Sequence, residues 1–431
     1  MEYCKRCCYP ANTKPDIIFD EKGVCSGCRL IESRPAIDWN ERGRWLKTLL
    51  GEHKARAKEK GRIYDCIIPV SGGKDSHYQT YLMKEVYGMN PLLVTYNHVF
   101  NTKLGIRNLT NIVKRFNCDL LRFTTNPGSV RKLSRWALRR MGDVTWHYHA
   151  GIMTFPIQAA VRYKIPLMVW GEEGFSELVG MYNQDDMVEF TKKKRQEHSM
   201  RGFEPEDILH DDLALQEGIT AKDLAAFFDP SDEEIEAVGL RGIYVSNYVN
   251  WNARKQTELM IEKFGFETAQ KRDRTFNLYD KLDDLHANGV HDYLKYLKFG
   301  YGRATDDAST EIRHRRMTRE EGIAMVTSYD PVRPQDLDVY LRFVGMSEEN
   351  FLRMLDPLRD PQIWERGPDG QWRTKDHIGN HIQDPGVDEV RLPLDPGRKG
   401  FMRSEAKRGY PRDDRIEEFE SLNAQKEYVI L

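Results

Sequence analysis

The chain has 431 residues, of which 40% are apolar and 31% are charged, and its formal net charge is −2. This length exceeds what one hydrophobic core usually supports and predicts two or three folding units, while the balanced charge argues against a general nucleic-acid binder. Because no run approaches the roughly 18 apolar residues of a membrane span and the N-terminus lacks the apolar core of a secretion signal, we expect a cytoplasmic protein without a membrane span.

The first predicted unit, residues 1–32, is a small cysteine-rich module. Its two Cys-x2-Cys pairs are separated by 17 residues, and each pair can place two thiolates on one ion across a tight turn. The spacing predicts a closed zinc site with a structural role, because no coordination position stays open for water. An iron–sulfur cluster takes similar ligands, and Cys8 can replace Cys7 in another register. The predicted zinc ligands are Cys4, Cys7, Cys25 and Cys28.

A helical linker over residues 33–60 leads to an α/β domain predicted over 61–330. Strand patterns alternate with helical patterns there, which indicates a parallel sheet covered on both faces. Residues 184–239 are acidic and predict a helical insertion, either a lid or a solvated excursion, and residues 331–431 predict helices followed by an extended arm. The predicted strands are 62–70, 90–97, 119–125, 165–171 and 242–251, and the predicted helices are 74–88, 103–117, 128–141 and 150–163.

The segment SGGKDS, between the first strand and the first helix of this domain, predicts a phosphate-binding loop. Adjacent glycines let the backbone approach an anion, and the following helix presents unpaired N–H groups and the positive end of its dipole. A carboxylate among such donors is best explained as a ligand of Mg²⁺ that bridges phosphate oxygens. The leading glycine and spacing of a Walker loop are missing. The predicted phosphate cradle is Ser71, Gly72, Gly73, Lys74 and Ser76, and Asp75 is the predicted magnesium ligand.

In this strand–loop–helix context, SGGKDS resembles the PP-loop of the ATP pyrophosphatase superfamily, which includes asparagine synthetase, GMP synthetase and argininosuccinate synthetase. The resemblance implies an adenine-nucleotide α-hydrolase-like α/β domain, here with a zinc-ribbon-like module before it and a helical, then extended, C-terminal region after it. It also implies that the loop holds the β- and γ-phosphates of ATP as a leaving group, while AMP passes to an oxygen of the substrate.

The order of several blocks narrows the resemblance. CKRCCYPANTKPDIIFDEKGVCSGC, IPLMVWGEEG, SNYVNWN and KFGYGRATDDASTEIRHRRMTREEGI resemble the N-acetyl sugar amidotransferases of bacterial surface-polysaccharide synthesis, over a match from the N-terminus to about residue 375. That family implies an acetamido sugar substrate, nucleotide-linked or a nonulosonic-acid precursor. Its acetamido group becomes an acetamidino group through an adenylated imidate, with release of AMP and pyrophosphate.

Strand ends supply further candidate site residues. The end of the second predicted strand, Val94 to Asn97 and including Tyr96, is where adenine is expected to meet the backbone. Gly171, Glu172 and Glu173 follow another strand end, where the carboxylates bind metal, orient ammonia or only begin a solvated helix.

The remaining candidates lie elsewhere in the chain. In the superfamily a downstream lysine reaches back to the phosphates, which points to Lys298; Arg303 has the same role or holds an acidic group of the substrate. Asp306 and Asp307 are a second acidic pair or helix caps. The pair His147 and His149 alternates as on an extended segment, contacting sugar or metal or serving as satisfied or surface histidines.

We expect no ammonia source within the chain. Glu2 occupies the position where an N-terminal glutaminase carries its cysteine, and neither Cys66 nor Cys118 sits on a tight glycine-flanked turn. The resemblance implies a separate glutaminase subunit like that of histidine biosynthesis, with a cyclase-like barrel partner that conducts ammonia. The acidic insertion and the C-terminal arm are the candidates for docking it.

Two other functions fit parts of the pattern. A tRNA-modifying member of the superfamily can carry a cysteine module, but it predicts a strongly basic face that the net charge of −2 does not supply. A non-catalytic nucleotide-binding scaffold can use a zinc module to dock partners, but the intact Lys74–Asp75 pair argues against a decayed site.

Overall fold

The computed structural model describes residues 1–282 and 285–384, and for residues 285–288 it describes the backbone alone. Residues 385–431 of the predicted C-terminal arm lie outside the described residues.

A five-stranded parallel sheet forms the centre of the α/β domain and confirms the predicted fold class. The strand order is β3-β2-β1-β4-β5, and every neighbouring pair is parallel. The first strand therefore lies in the middle, with the chain moving outward on one side and then on the other, and a crevice opens at the carboxyl ends of β1 and β4. The strands are β1 Cys66–Pro69, β2 Pro91–Asn97, β3 Asp119–Thr124, β4 Leu167–Trp170 and β5 Arg241–Tyr244.

Helices surround this sheet and continue into the C-terminal region. Every strand and helix predicted between residues 62 and 171 is present. The helix predicted over 74–88 is divided into α3 and a π-helical turn at Leu82–Val86, and the helix predicted over 150–163 begins earlier. The helices are α1 Ser26–Ser33, α2 Trp39–Glu59, α3 Lys74–Tyr81, α4 Lys103–Phe116, α5 Pro127–Met141, α6 Trp146–Tyr163, α7 Gly174–Val179, α8 Lys192–Lys194, α9 Pro205–Leu209, α10 Asp212–Gln216, α11 Ala221–Leu224, α12 Asp232–Val238, α13 Ala253–Phe264, α14 Leu285–Phe299, α15 Arg303–Arg313, α16 Arg319–Tyr329, α17 Leu337–Val344 and α18 Glu348–Leu355.

The middle strand separates two hydrophobic cores. Ile67 packs with α5, α6 and the insertion on one face, whereas Cys66 and Ile68 pack with α2, α3 and α4 on the other. Side chains of a strand point to alternate faces, and a strand buried on both faces reads as a continuous apolar run, as β1 does. Leu46 and Leu50 of α2 belong to the second core, so the predicted linker helix is a packed part of the domain.

The cysteine-rich module packs against the C-terminal helices. Its buried residues form one hydrophobic cluster with residues of α15 and α16. The Cys8 backbone N–H donates to Ser309 Oγ at 3.2 Å, and the Tyr9 hydroxyl donates to Asp306 at 2.8 Å. Beyond α18, the hairpin of β6 Trp364–Arg366 and β7 Trp372–Thr374 completes the described part of the C-terminal region.

The acidic insertion docks on the sheet domain. Its short helices pack on α5 and α6, and Ile208, Leu224 and Phe227 belong to the core on that face. Acidic side chains of the insertion meet the basic face of α5: Glu217 accepts from Arg135 at 2.8 Å and from Arg139 at 3.0 Å. The insertion is therefore helical, and Asp211, Glu217 and Asp223 are among the acidic residues that bind it to α5.

No helix within the described residues is long and apolar enough to cross a membrane.

Asp211 is expected to be the main polar anchor of the insertion. Its carboxylate accepts from the buried Trp136 indole at 3.0 Å and from two N–H groups at the start of α10 at 2.9 and 3.0 Å. Asp211→Ala should lower the free energy of unfolding by about 2–4 kcal/mol, because it removes a helix cap and leaves a buried indole N–H unpaired. Asp212→Ala at the exposed neighbouring position is the control for urea titrations and should have little effect.

Candidate active site

A cavity of about 450 Å³ lies at the carboxyl ends of β1, β2 and β4 and contains most of the predicted site residues. We call it the first cavity. Its position is the one where parallel α/β sheets bind ligands. The predicted residues that line it are Ser71, Gly73, Lys74, Asp75, Ser76, Val94, Tyr96, Asn97, Gly171, Glu172 and Arg303.

The phosphate loop has a backbone that requires glycine. Gly72 has a φ of +96°, and a Cβ there would lie 2.9 Å from the Gly105 carbonyl oxygen and from the Leu109 nitrogen. Gly73 is the N-cap residue of α3 and has no side chain that could accept a hydrogen bond. Among the described residues, no side-chain cap therefore binds the first backbone N–H groups of this helix. The loop therefore presents backbone donors and the positive end of a helix dipole to an anion.

An ion-pair cluster around the buried Lys74 ammonium lies at the start of α3. The Lys74 ammonium is 2.6 Å from Asp75 Oδ2 and 3.5 Å from Asp280 Oδ1. Burial acts to lower the pKa of Lys74, but Asp280 and Asp75 outweigh it and raise that pKa well above its usual value. Burial also raises the pKa of Asp75, despite the adjacent ammonium. Asp75 Oδ1 is buried and has no hydrogen-bond partner among the described residues.

The two glutamates after β4 have different roles. Glu173 caps α7, where its carboxylate accepts from the Ser176 N–H at 2.7 Å. Glu172 faces the cavity and pairs with Glu177, and burial together with that neighbour raises its pKa well above the usual value. Burial opposes ionisation of Glu177 as well, but hydrogen bonds from Glu172 and from His314, at 2.8 Å, lower its pKa. Both carboxyl groups line the first cavity, where the charge of Glu177 opposes ionisation of Glu172.

Residues 277–281 close one side of the first cavity and were not among the predicted site residues. Asn277, Tyr279, Asp280 and Lys281 line the cavity. The buried Arg272 guanidinium fixes the segment by donating to the carbonyls of Asn277 at 3.0 Å and Asp280 at 2.8 Å. The segment carries no recurrent motif, and the only signal in the sequence is a run of basic residues before it.

A larger second cavity, of about 870 Å³, adjoins the first. The two share a wall that includes Tyr148, Trp170, Glu172, Lys281 and Arg303. The wall is held by charge pairs, since Arg303 contacts Asp292 at 2.7 Å and Asp306 at 3.1 Å. Asp306 lines both cavities and Asp307 lines the first, so this acidic pair faces the cavities instead of capping α15.

Lys298, predicted to reach the phosphates, lies in the second cavity and not among the residues that line the first. Burial lowers its pKa to about 8, and the neighbouring carboxylate of Asp143 only partly offsets this. The lysine and arginine residues that line the first cavity are Lys74, Arg122, Lys281 and Arg303.

The predicted extended segment around His147 and His149 is wrong, because both lie in α6. Residues two apart on a helix point to nearly opposite sides. His147 is buried in the interior, whereas His149 lines the second cavity, and burial lowers the pKa of each to about 3.

Gly171 and the end of β2 shape the first cavity without charge. A Cβ on Gly171 would lie 2.5 Å from Gln79 Oε1 and 3.1 Å from the Trp251 ring, so only glycine allows this close packing at the end of β4. The Tyr96 hydroxyl forms a hydrogen bond with the Thr125 hydroxyl at 2.9 Å. In the predicted arrangement, adenine therefore meets the backbone of β2 and not this hydroxyl.

The four predicted metal ligands come together in one buried cluster. The Sγ atoms of Cys4, Cys7, Cys25 and Cys28 all lie within 4.8 Å of one another. Three backbone N–H groups donate to Cys4 Sγ at 3.4 Å each. The Arg313 guanidinium lies 3.3 Å from Cys25 Sγ and 3.8 Å from Cys7 Sγ, which suits the negative charge of a four-thiolate site. These residues fit a structural zinc ion, and Cys8 lies outside the cluster.

Sequence comparisons match parts of this chain to known proteins. Residues 246–378 match the family described as LPS biosynthesis protein WbpG-like, C-terminal domain. The uncharacterized protein MJ1599 of Methanocaldococcus jannaschii is 30% identical over 118 residues, which are 27% of this chain and 41% of that protein. The match thus spans less than half of that relative.

Two solved structures are similar to 47% of this chain at 13% identity. They are NMN synthetase from Francisella tularensis, with a TM-score of 0.25 and 93% of its chain covered, and NH3-dependent NAD synthetase from Campylobacter jejuni subsp. jejuni, with a TM-score of 0.26 and 92% covered. The fold class stated above rests on the sheet topology and not on these superpositions.

The cysteine cluster gives a prediction for metal content. Cys25→Ser removes one of four ligands and should lower bound zinc, measured by elemental analysis, and lower the melting temperature, because a small module depends on its metal for folding. Cys8→Ser is the matched control, since Cys8 is equally buried but lies outside the cluster, and it should keep its zinc. Equal zinc loss in both variants would contradict this assignment, and iron in the wild type would favour the cluster alternative.

His77 gives a pH prediction for the phosphate loop. It is fully buried beside the Gly73 carbonyl, and burial lowers its pKa from 6.5 to about 4. A depressed histidine pKa contributes stability that is present above pH 6.5 and is lost as the pH falls toward 4, because the unfolded chain then binds the proton more readily. Between pH 7 and pH 5.5, His77 should account for a loss of roughly 1–1.5 kcal/mol in the free energy of unfolding. In urea titrations, the free energy of unfolding of His77→Gln should depend less steeply on pH than that of the wild type. His210→Gln, which changes an exposed histidine, is the control and should show the pH dependence of the wild type.

Proposed function

We propose that this protein is an ATP-dependent amidotransferase that converts the acetamido group of a bacterial surface-polysaccharide sugar into an acetamidino group. The observation that carries the proposal is the shared wall between the two cavities. One cavity holds a PP-loop with a buried lysine–aspartate pair, and the adjoining cavity is large enough for a sugar substrate. Support for the cellular role comes from the match of residues 246–378 to a domain of LPS biosynthesis proteins.

ATP is proposed to occupy the first cavity with its adenine at the end of β2 and its phosphates on the loop. The backbone N–H groups at the start of α3 would hold the β- and γ-phosphates, and Lys74 would neutralise part of their charge. Asp75 Oδ1 and Glu172 Oε1 are both buried without a hydrogen-bond partner among the described residues, and these two carboxyl groups would hold a cation. Mg²⁺ bound there would supply charge neutralisation for the pyrophosphate.

The reaction needs two successive displacements. The oxygen of the acetamide attacks the α-phosphorus of ATP, the bond to the bridging oxygen breaks, and pyrophosphate leaves. This turns a poor leaving group into AMP. Ammonia then adds to the imidate carbon, the C–O bond breaks, and AMP departs to leave the amidine.

Residues of the chain would act mainly by positioning and by charge. Lys281 and Arg303 lie on the wall between the cavities, where the α-phosphate and the acetamide must meet. A cation at that place stabilises the negative charge that develops on the phosphoryl oxygens. Residues 277–281 would also exclude water from the adenylated intermediate, which water would otherwise hydrolyse.

The acceptor sugar is proposed to bind in the second cavity. Aromatic side chains suit the apolar faces of a sugar ring, and cations suit a linked diphosphate or a carboxylate. The aromatic residues that line it include Tyr9, Trp170, Phe190, Tyr244 and Tyr301, and the cations include Lys14, Lys194, Arg201, Lys295 and Lys298. Ammonia is proposed to come from a partner glutaminase, as in the resemblance described above, with a barrel partner conducting it.

The direct test is a product assay. The protein is incubated with ATP, Mg²⁺, ammonium and a panel of acetamido sugars, free and nucleotide-linked, and the products are followed by mass spectrometry. The expected result is a product in which NH replaces one oxygen, formed together with AMP and pyrophosphate. ATP binding without such a product from any sugar would reject the proposed reaction, and tRNA retained by the purified protein would favour the RNA-modifying alternative.

Asp75→Asn should lower turnover by at least about 100-fold, because it removes a carboxylate from the proposed cation site while keeping the side chain's shape. The melting temperature should change little, since the asparagine amide oxygen can still accept from Lys74 and Asp280 keeps a negative charge 3.5 Å from the Lys74 ammonium. Glu85→Gln, an exposed carboxylate that follows α3, is the matched control and should retain full turnover. If the two variants are equally active, Asp75 has no part in catalysis.

A further inference from the structure

A carboxylate–histidine pair lies at one end of the second cavity and has no part in the function described so far. Asp143 Oδ1 is 3.0 Å from His291 Nδ1, and both residues line the cavity. Asp143 is almost fully buried, at 2% exposure, whereas His291 is partly open to the cavity. A buried carboxylate behind an accessible imidazole is the arrangement that enzymes use to orient a proton acceptor.

The surroundings fix Asp143 as an anion. Its Oδ1 accepts from the N–H groups of Val144 at 2.6 Å and Thr145 at 3.1 Å, and its Oδ2 pairs with Arg201. Burial opposes its ionisation, but Arg201 and His291 lower its pKa well below the usual value. A carboxylate that cannot donate must accept from the ring, so His291 carries its proton on Nδ1.

This tautomer leaves the Nε2 lone pair of His291 available. The hydrogen bonds between this ring and the described residues, to Asp143 Oδ1 at 3.0 Å and to the Thr145 hydroxyl oxygen at 3.4 Å, both involve Nδ1. A neutral imidazole with Nδ1 occupied can take up a proton only at Nε2. The Asp143 carboxylate would then stabilise the imidazolium that forms.

The pair lies close to the wall between the cavities. Tyr148 belongs to that wall, its ring centroid is 5.3 Å from that of His149, and the His149 centroid is 5.8 Å from that of His291. One row of three rings therefore connects the shared wall to His291. His291 therefore lies in the second cavity, two ring contacts away from the shared wall.

We propose that His291 is the general base of the nitrogen-transfer step and that Asp143 is its positioning residue. The inference rests on the proposed function and deepens it. When ammonia adds to the imidate carbon, a C–N bond forms and the nitrogen becomes positively charged. His291 Nε2 takes one proton from that nitrogen, the C–O bond breaks, and AMP leaves with its electron pair. The adenylation step requires no proton from this group.

Other charged groups face the same ring. Arg201 lies on a turn of the insertion between α8 and α9, His149 lies on α6, and Asp292 and Lys298 lie with His291 on α14. Lys298 is the competing base, because burial lowers its pKa to about 8. His149 is a poor candidate, since burial lowers its pKa to about 3 and it stays neutral and weakly basic.

The test separates the two chemical steps in the full-length protein. Adenylation is followed by exchange of labelled pyrophosphate into ATP in the presence of the acetamido sugar, and nitrogen transfer is followed by amidine formation with ammonium. His291→Gln should lower amidine formation by about 100-fold while exchange stays within about twofold of wild type. His210→Gln, on the exposed surface of the insertion, is the matched control and should change neither rate.

A second nucleophile provides the readout that a structural role would not move. Hydroxylamine is neutral near pH 7, and its adduct loses a proton to water more readily than the ammonia adduct. With hydroxylamine, His291→Gln should recover to within about tenfold of wild type, and its profile with ammonium should lack an ionisation that the wild type shows.

Three results would overturn the proposal. Full amidine formation in His291→Gln would exclude a base at this position, and the same result together with a loss in Lys298→Met would assign the role to Lys298. Parallel loss of exchange and amidine formation, without recovery by hydroxylamine, would assign His291 to folding or sugar binding. If the wild type shows neither exchange nor amidine with any acetamido sugar, the proposed function itself fails, and that outcome is distinct because it appears before any variant is made.

The tautomer can be measured without activity. In ¹⁵N-labelled protein, His291 should show a protonated Nδ1 and an unprotonated Nε2 at neutral pH. The opposite tautomer would remove the lone pair from the cavity and reject the assignment.

Discussion

The contact between Arg313 and the cysteine cluster joins the three parts of the molecule. Its guanidinium lies against Cys25 and Cys7 and also donates to the backbone carbonyls of Glu177 and Leu178 in α7. The next residue, His314, fixes the Glu177 carboxylate. Because Glu177 pairs with Glu172 at the first cavity, the thiolate charge, a C-terminal helix and the sheet domain are linked through two consecutive residues.

Through this linkage the cysteine module contacts α7, the helix that follows the wall residue Glu172. The Ser26 hydroxyl of the module donates to the Val179 carbonyl at the end of α7, and Gly180 packs directly on the backbone of Ser26 and Gly27. A closed metal site has no chemistry of its own to offer. Its proposed contribution is rigidity, since it would hold α7 and therefore the wall residues Glu172 and Gly174 in fixed places.

The sequence was sufficient for the sheet, the phosphate loop and the cysteine cluster because each depends on local pattern. β1 is a continuous apolar run, the loop is a glycine pair before a helix, and the cluster follows from spacing. Lys298 and residues 277–281 depend instead on how C-terminal helices turn against the sheet domain, which no local pattern contains. His147 and His149 show the same limit, because period-two spacing describes a strand only where the backbone is extended.

The segment 277–281 has a consequence for how the chain is divided. It falls within residues 246–378, the part similar to a separately described C-terminal domain, yet it supplies Asp280 to the Lys74 pair and Lys281 to the wall between the cavities. The segment that matches the family therefore does not form either cavity alone. A phosphate loop of this kind lies within one part of the chain, but the walls of the two cavities form only where both parts of the chain meet.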